Sequence, residues 1–380
     1  MRTPFAVIGV LLVALLALGF LTEEDEGEQQ AAPAAAPIDV IATRVEALRR
    51  LRFEQMPQPL EVTPEQARSE GLDSLDRDYP AERRRADETV YKLLGLIEPD
   101  ADLRELSGDL FGEGVAGYYD PRDGRLRVVE GAGTGTRVLE EMILAHELTH
   151  ALEDQRFGLS SEPATDDRTL ARSALYEGSA TALMYAYVGE HFTTEETLGG
   201  LLSSAFEDTG DLPPFIQAQV LFAYVGGEAF IRELLERGGW ALVDTAFEVR
   251  RPSSTEQILH PEAYFEADEP KPVRIRAGAV LGGWKRVLAG TWGELQTREL
   301  LGGASRAAAG WGGDHYELWQ RGGDSALVMR WRWDTPRDEA EFAARLRELL
   351  GDRGIVVRRG GTVTLAIAAD RDLAERLAGA

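Results

Sequence analysis

Two of only five histidines in the chain, His146 and His150, stand four residues apart in one apolar run, EMILAHELTHALEDQRF, with Glu147 between them. Residues i and i+4 of a helix share a face, so the two imidazoles can project to one point and share a metal ion. Neutral imidazole suits zinc. Glu147 is turned by about 100° from His146, where its carboxylate can reach a water held by the metal without ligating the ion. Zinc lowers the pKa of such a water towards roughly 7, and Glu147 is placed to take the proton as general base. The surrounding helix is apolar on most of its circumference and reads as buried. Two histidines and a glutamate in such a helix need partners, and one Zn2+ ion supplies them.

A catalytic zinc site takes three protein ligands and keeps a fourth position open. The segment ARSALYEGSATALMYAYVG offers the third ligand, Glu177, a single acidic residue among small and apolar neighbours. Gly178, Ser179 and Ala180 would let another helix approach, and a lone carboxylate there wants a cation. The 26 residues between His150 and Glu177 allow a turn and a return. Asp154, one turn beyond His150, points back towards it and suits a hydrogen bond to that ring better than ligation. His191 lies about 20 Å from Glu177 by helical rise, too far to share its ion. His260, in a loop, and His315, in the C-terminal region, are weaker candidates that could stabilise an oxyanion if folded back.

These residues need elements to hold them. Helical patterns begin at Ile38, at VTPEQARSEGL with Thr63 as N-cap and Pro64 at the first turn, and after Pro80. GVAGYYDPRDGRLRVVEG reads as a β-hairpin turning at DPRDG, just before the metal helix. A strand such as RLRVV beside the site could take an extended peptide by strand addition. A GAGTGT loop precedes the metal helix, and a second long helix runs from about Asp167 to His191. EETLGGLLSSAFE, PFIQAQVLFAYVGGEAFIRELLERGG and WALVDTAFEVR read as further helices, and RPSSTEQILHPEAYF as an ordered loop. The C-terminal part reads as a hairpin turning at GGD, an amphipathic helix DEAEFAARLRELL, a strand pair IVVRRGGTVTLAIA and a last short helix. The fold class is α+β: a mostly helical core with a β-hairpin before the metal helix, plus a small C-terminal α+β unit.

The chain has 380 residues, 28% of them charged, and a formal charge of −24, which argues against a nucleic-acid partner. The absence of cysteine excludes disulfides, cysteine-bound zinc and thiol catalysis. Arg2 precedes the apolar run FAVIGVLLVALLALGFL, and Glu23, Glu24, Asp25, Glu26 and Glu28 follow it. That pattern reads as a signal peptide or an N-terminal membrane anchor over 1–21, with the body outside the cell membrane or secreted. An acidic, Ala/Pro-rich linker over 22–37 follows. The remainder divides into 38–272, with the metal site, and a C-terminal α+β domain over 273–380.

HELTH followed by YEGSA resembles the gluzincin metallopeptidases, the thermolysin-like group. The resemblance implies a zincin-like core with His146, His150 and Glu177 as zinc ligands, Glu147 as general base, and an active-site strand that GRLRVVEG would fit. GYYDP, LAHELTHALEDQRF, ALYEGSAT, STEQILHPEAY and GWGGDHYELW together resemble a family of exported, largely uncharacterised HExxH metallopeptidases of prokaryotes. The function so implied is zinc-dependent hydrolysis of a protein or peptide substrate. The alternatives are an envelope protein with a structural metal and a hydrolase of envelope amides or esters. The spacing to Glu177 is longer than in thermolysin-like enzymes, and Thr181 stands where those enzymes carry an acidic residue behind the ligands.

Overall fold

A computed structural model describes residues 35–379 apart from 114–116, 131–135, 160–165, 195, 198–211 and 304–305, and the side chains of all of these but 109–113. Local signals set several element ends. Helix α1 (Ile38–Arg49) stops at Arg50, whose backbone is left-handed. After the short strand β1 (Pro59–Val62), Thr63 caps α2 (Pro64–Asp78) by accepting from Gln66 N, while the Gln66 side chain accepts from Thr63 N. Helices α3 (Ala81–Leu94) and α4 (Leu103–Glu113) follow. The hairpin expected at DPRDG forms from β2 (Gly117–Asp120) and β3 (Arg125–Val129), with Gly124 at a φ of 68°.

The helix that carries His146 and His150 is α5 (Arg137–Phe157), and α6 (Asp166–His191) packs along it. Leu139, Met142, Leu148 and Leu152 of α5 join Leu183, Met184 and Tyr187 of α6, with Ile41 and Val45 of α1 beneath them. The opposite face of α6 meets the next helical run. That run is α7 (Pro214–Leu221), a π-helical turn over Phe222–Gly226, and α8 (Gly227–Glu248), which kinks at Gly239. Backbones touch at this crossing: a Cβ on Gly178 would lie 2.2 Å from the carbonyl carbon of Gly227. Two short helices, α9 (Thr255–Leu259) and α10 (Pro261–Glu266), replace the ordered loop expected at RPSSTEQILHPEAYF. Ser254 caps the first by accepting from Gln257 N, and Pro261 opens the second.

The chain ends in a five-stranded antiparallel sheet of order β4-β5-β6-β8-β7. Its elements are β4 (Lys285–Gly290), α11 (Gly293–Leu300), β5 (Trp311–Arg321), β6 (Asp324–Trp333), α12 (Pro336–Leu350), β7 (Ile355–Arg359), β8 (Thr362–Ala368) and α13 (Arg371–Gly379). Side chains alternate across it as a pleated strand requires. Leu327, Met329, Trp331 and Trp333 of β6 join Phe342, Leu346 and Leu350 of α12, whereas Ala326 and Val328 face Leu373 and Leu377 of α13. The first of these cores continues into Leu75, Val90, Tyr91 and Leu94 of α2 and α3, so one apolar core crosses residue 272. Among the described residues the architecture is mixed α+β with two sheets.

The expected membrane anchor is corrected: among the described residues no helix is long and apolar enough to cross a membrane. The segment 1–21 that carried that expectation, most of the linker over 22–37, most of the GAGTGT loop and most of EETLGGLLSSAFE lie outside the described residues.

Candidate metal centre

Helix α5 buries an unusual set of groups for a helix that packs on both sides. Glu141, His146, Glu147, His150 and Glu153 are all buried, and so is Glu177 on α6. Helical periodicity brings His146 and His150 together by itself: their Nε2 atoms are 3.1 Å apart. Packing brings in the third group. Glu177 Oε2 lies 3.3 Å from both Nε2 atoms. A tetrahedral site with zinc bonds of about 2.0–2.1 Å has ligand–ligand edges of roughly 3.3–3.4 Å, so the three donor atoms already stand close to the face of such a tetrahedron. Among the described residues this is the group of His, Asp and Glu donors that could hold a metal ion.

The charges fit a cation. Burial opposes ionisation of Glu177, yet the two histidines outweigh it and hold the carboxyl down at about 2. Burial likewise opposes a charge on His150, but Glu177, Glu147 and Glu153 outweigh it and push the imidazole up to about 9. His146 is lowered, chiefly by burial, because it faces fewer carboxylates. The donor set thus keeps a negative charge in the core and recruits a proton where no stronger cation is at hand.

Glu147 stands apart from the donor triangle. Its Oε2 accepts a 2.8 Å hydrogen bond from Tyr119 N of β2, and burial raises its carboxyl to about 8. The bond shows that the Tyr119 N–H points away from β3, towards α5. In the three-stranded sheet of order β1-β3-β2, β2 is the edge strand on this side and β3 is paired on both of its own. The expectation that RLRVV would be the strand open to a peptide is therefore corrected: β3 has a neighbour on each side, and GYYD forms the edge of the sheet.

Asp154 also departs from expectation. It accepts from Tyr119 Oη at 2.9 Å and from Leu159 N at 2.8 Å, and so ties β2 to the end of α5 rather than orienting His150. Among the described residues Nδ1 of His146 and Nδ1 of His150 have no hydrogen-bond partner. The His146 ring is held by stacking instead: Tyr224, in the π-helical turn, lies 6.0 Å away with planes 21° apart. Thr181, buried, carries no charge to the cluster. His191 packs against Tyr187, His260 pairs with Glu294 at 3.0 Å, and His315 lies 3.6 Å from Glu317, so none joins the donors.

Sequence reasoning missed a clasp one turn away. Glu153 Oε1 accepts from Arg49 Nε at 2.7 Å and from Ser179 Oγ at 2.5 Å. The Arg49 guanidinium also pairs with Asp244 at 2.7 Å and lies 4.4 Å over the Trp240 ring. Glu153 is three residues after His150, and Ser179 is two after Glu177. The clasp therefore locks the register of the two helices that carry the donors. The signal available in the sequence was a second acidic residue, Glu153, on the apolar face of the metal helix. Nothing local marked Arg49 among its neighbouring arginines.

Comparison with known proteins reaches only the far end of the chain. Residues 280–378 match a family described as a domain of unknown function, DUF8575. That span runs from within the turn before β4 to α13 and leaves His146, Glu147, His150 and Glu177 outside. No curated protein and no solved structure matches the chain.

Proposed function

We propose that the chain is a zinc-dependent hydrolase with a zincin-like core, and that it cleaves peptide bonds. The observation that supports this most is the place of Glu147. A purely structural metal needs His146, His150 and Glu177, but not a second buried carboxylate beside them, bonded to the edge strand. Zinc, when bound, supplies Lewis acidity that polarises a carbonyl and acidifies water.

The chain's own groups would do the rest. His146, His150 and Glu177 would hold the ion. Glu147, its carboxylate held by the Tyr119 amide, would take a proton from the attacking water and pass it to the leaving amine. The edge of β2 would orient an extended peptide beside Glu147 by main-chain hydrogen bonds. Tyr119 would then serve twice, its N–H steadying the base and its side chain fixing β2 on α5.

One observation favours a second reading, a structural metal. Glu147 is 3% exposed and Glu177 6%, a degree of burial that suits a closed site. One experiment separates the readings: zinc content and peptidase activity of the full chain beside Glu147→Gln. Zinc retained at one per chain with activity lost supports the hydrolase. Zinc retained with no activity in either protein supports the structural metal, and a zinc-free wild type removes both.

A further inference from the structure

On the side of α6 turned away from the donors, a cavity of about 470 Å³ carries charge of the opposite sign to the rest of the molecule. Arg168 and Arg172, from the first two turns of α6, face Arg250 and Arg251, which follow α8. Glu248 and Glu269 are the acidic residues in the wall, and Glu248 is already paired with Arg156 at 2.9 Å. In a chain of 65 acidic and 41 basic residues, four guanidinium groups around one cavity are a local reversal.

Arg250 and Arg251 are held in place by contacts within the fold. Arg251 Nε donates to Phe247 O at 2.9 Å, and its Nη2 lies 3.3 Å from Gly158 O, at the carbonyl ends of α8 and α5. The Arg250 guanidinium lies 4.3 Å over the Tyr264 ring, while Tyr264 Oη donates to the Arg250 carbonyl at 2.8 Å. An independent feature points into the same space. Ser253 lines the cavity and is nine-tenths buried, yet among the described residues its Oγ has no hydrogen-bond partner. Its backbone N–H is spoken for by Gln257 Oε1 at 2.9 Å. A buried hydroxyl beside positioned guanidinium groups is a donor set for tetrahedral oxyanions.

We propose that this cavity binds the phosphate group of a small phosphorylated molecule. Its volume falls in the range of small-molecule sites, roughly 300–1,000 Å³, and exceeds what a bare ion fills. The site is separate from the metal centre. Arg172 is five residues from Glu177, which is roughly 140° around α6. The inference does not depend on the hydrolase reading.

Calorimetric titration of the full chain at low salt tests it, with inorganic phosphate and a sugar phosphate as probes. The variants are Arg168→Gln/Arg250→Gln, the milder Ser253→Ala, and His150→Ala to disable the metal centre. The expected result is saturable binding at one site, at least tenfold weaker in the double arginine variant, several-fold weaker in Ser253→Ala and unchanged in His150→Ala. Tighter binding of the sugar phosphate assigns the site to a phosphorylated molecule, and equal binding assigns it to free phosphate. No binding of either probe at millimolar concentration overturns the proposal. So does binding that survives both cavity variants and disappears in His150→Ala, which would place the anion at the metal centre.

Discussion

Between α5 and α6 the core is full of ionisable groups; between β6 and β8 it is apolar. Glu141, His146, Glu147, His150, Glu153 and Glu177 are buried in the first region. In the second, the buried residues of the two strands are Ala326, Leu327, Val328, Met329, Trp331, Trp333, Val363, Leu365, Ala366 and Ile367, with Thr364 as the polar member. Burying apolar surface stabilises a fold at about 25 cal/mol per Å², whereas burying charge costs stability unless every group finds a partner. The sheet is built in the way that holds a chain together. The helix pair buries ionisable groups that must find partners: Glu141 is paired with Arg44, Arg137 and Tyr187 and Glu153 with Arg49 and Ser179, while His146, His150 and Glu177 meet one another.

That contrast can be broken by substitutions on each side. The largest effect is expected from Glu147→Gln, which should lower peptidase turnover by about 10²–10⁴-fold while zinc content and melting temperature stay near wild type. His150→Ala should weaken zinc binding more than about 100-fold, since even residues behind the ligands are worth 10–100-fold. It should leave the metal-free chain as stable as before or more so, as read by denaturant unfolding with a chelator. Trp331→Ala, in the sheet, should do the reverse: about 3–5 kcal/mol of stability lost, with the protein that remains folded binding zinc as tightly as wild type. A loss of zinc affinity there would mean that the two regions are not energetically distinct.

Glu153→Gln sharpens the contrast from inside the helical region. It leaves the Arg49 guanidinium buried and short of its fully buried partner, so unfolding should become easier by about 3 kcal/mol. Zinc affinity should fall as well, because the clasp sets the register of α5 on α6. Equal zinc affinity in Glu153→Gln and wild type would reduce the clasp to a stabilising feature alone.

The smallest effect concerns the boundary between the regions. Asp167, at the start of α6, is raised to about 7, and Asp314, in β5, to about 6, both chiefly by burial. Asp87, in α3, is raised to about 6 for the same reason. Each folded-state pKa lies above its unfolded value near 3.9. The folded state then binds more protons than the unfolded one between about pH 4 and pH 7, so stability falls as pH rises through that window. Glu177, held at about 2, contributes in the opposite sense only below the usual carboxylate range. The melting temperature should therefore rise by a few degrees as pH is lowered from 7.5 to 5, at about 2 °C per kcal/mol for a long chain. Asp314→Asn should flatten that profile. A melting temperature that falls over this range would remove the assignment.

The two regions also differed in how readable they were. In the C-terminal region the hairpin at Gly322 and Gly323, the helix after Thr335 and the strand pair around Gly360 and Gly361 all form where the pattern of apolar residues and glycines implied. β4 and α11 left no comparable trace, because KRVLAG is too short and too mixed for either period to stand out. In the helical region the elements were readable but their polar partners were not. STEQILHPEAYF hid two helices of five and six residues, too short for a helical period to show. Asp154 was expected on His150 and lies on Tyr119, because the choice was made by a strand 35 residues away. The π-helical turn that stacks Tyr224 on His146 has no 3.6-residue signature at all.

By itself the sequence determined that His146 and His150 meet, because a spacing of four residues on a helix settles their relation through the backbone alone. It also determined which segments alternate, where the tight turns fall and that no thiol takes part. Only the tertiary structure decided that Glu177 reaches both imidazoles, that Glu147 leans on the amide of Tyr119 and that Arg49 closes over Glu153 and Asp244. Those contacts join residues from different elements, and their geometry depends on how closely the elements approach. At Gly178 and Gly227 that approach is set by the absence of two side chains, whose effect appears only once both helices are in place.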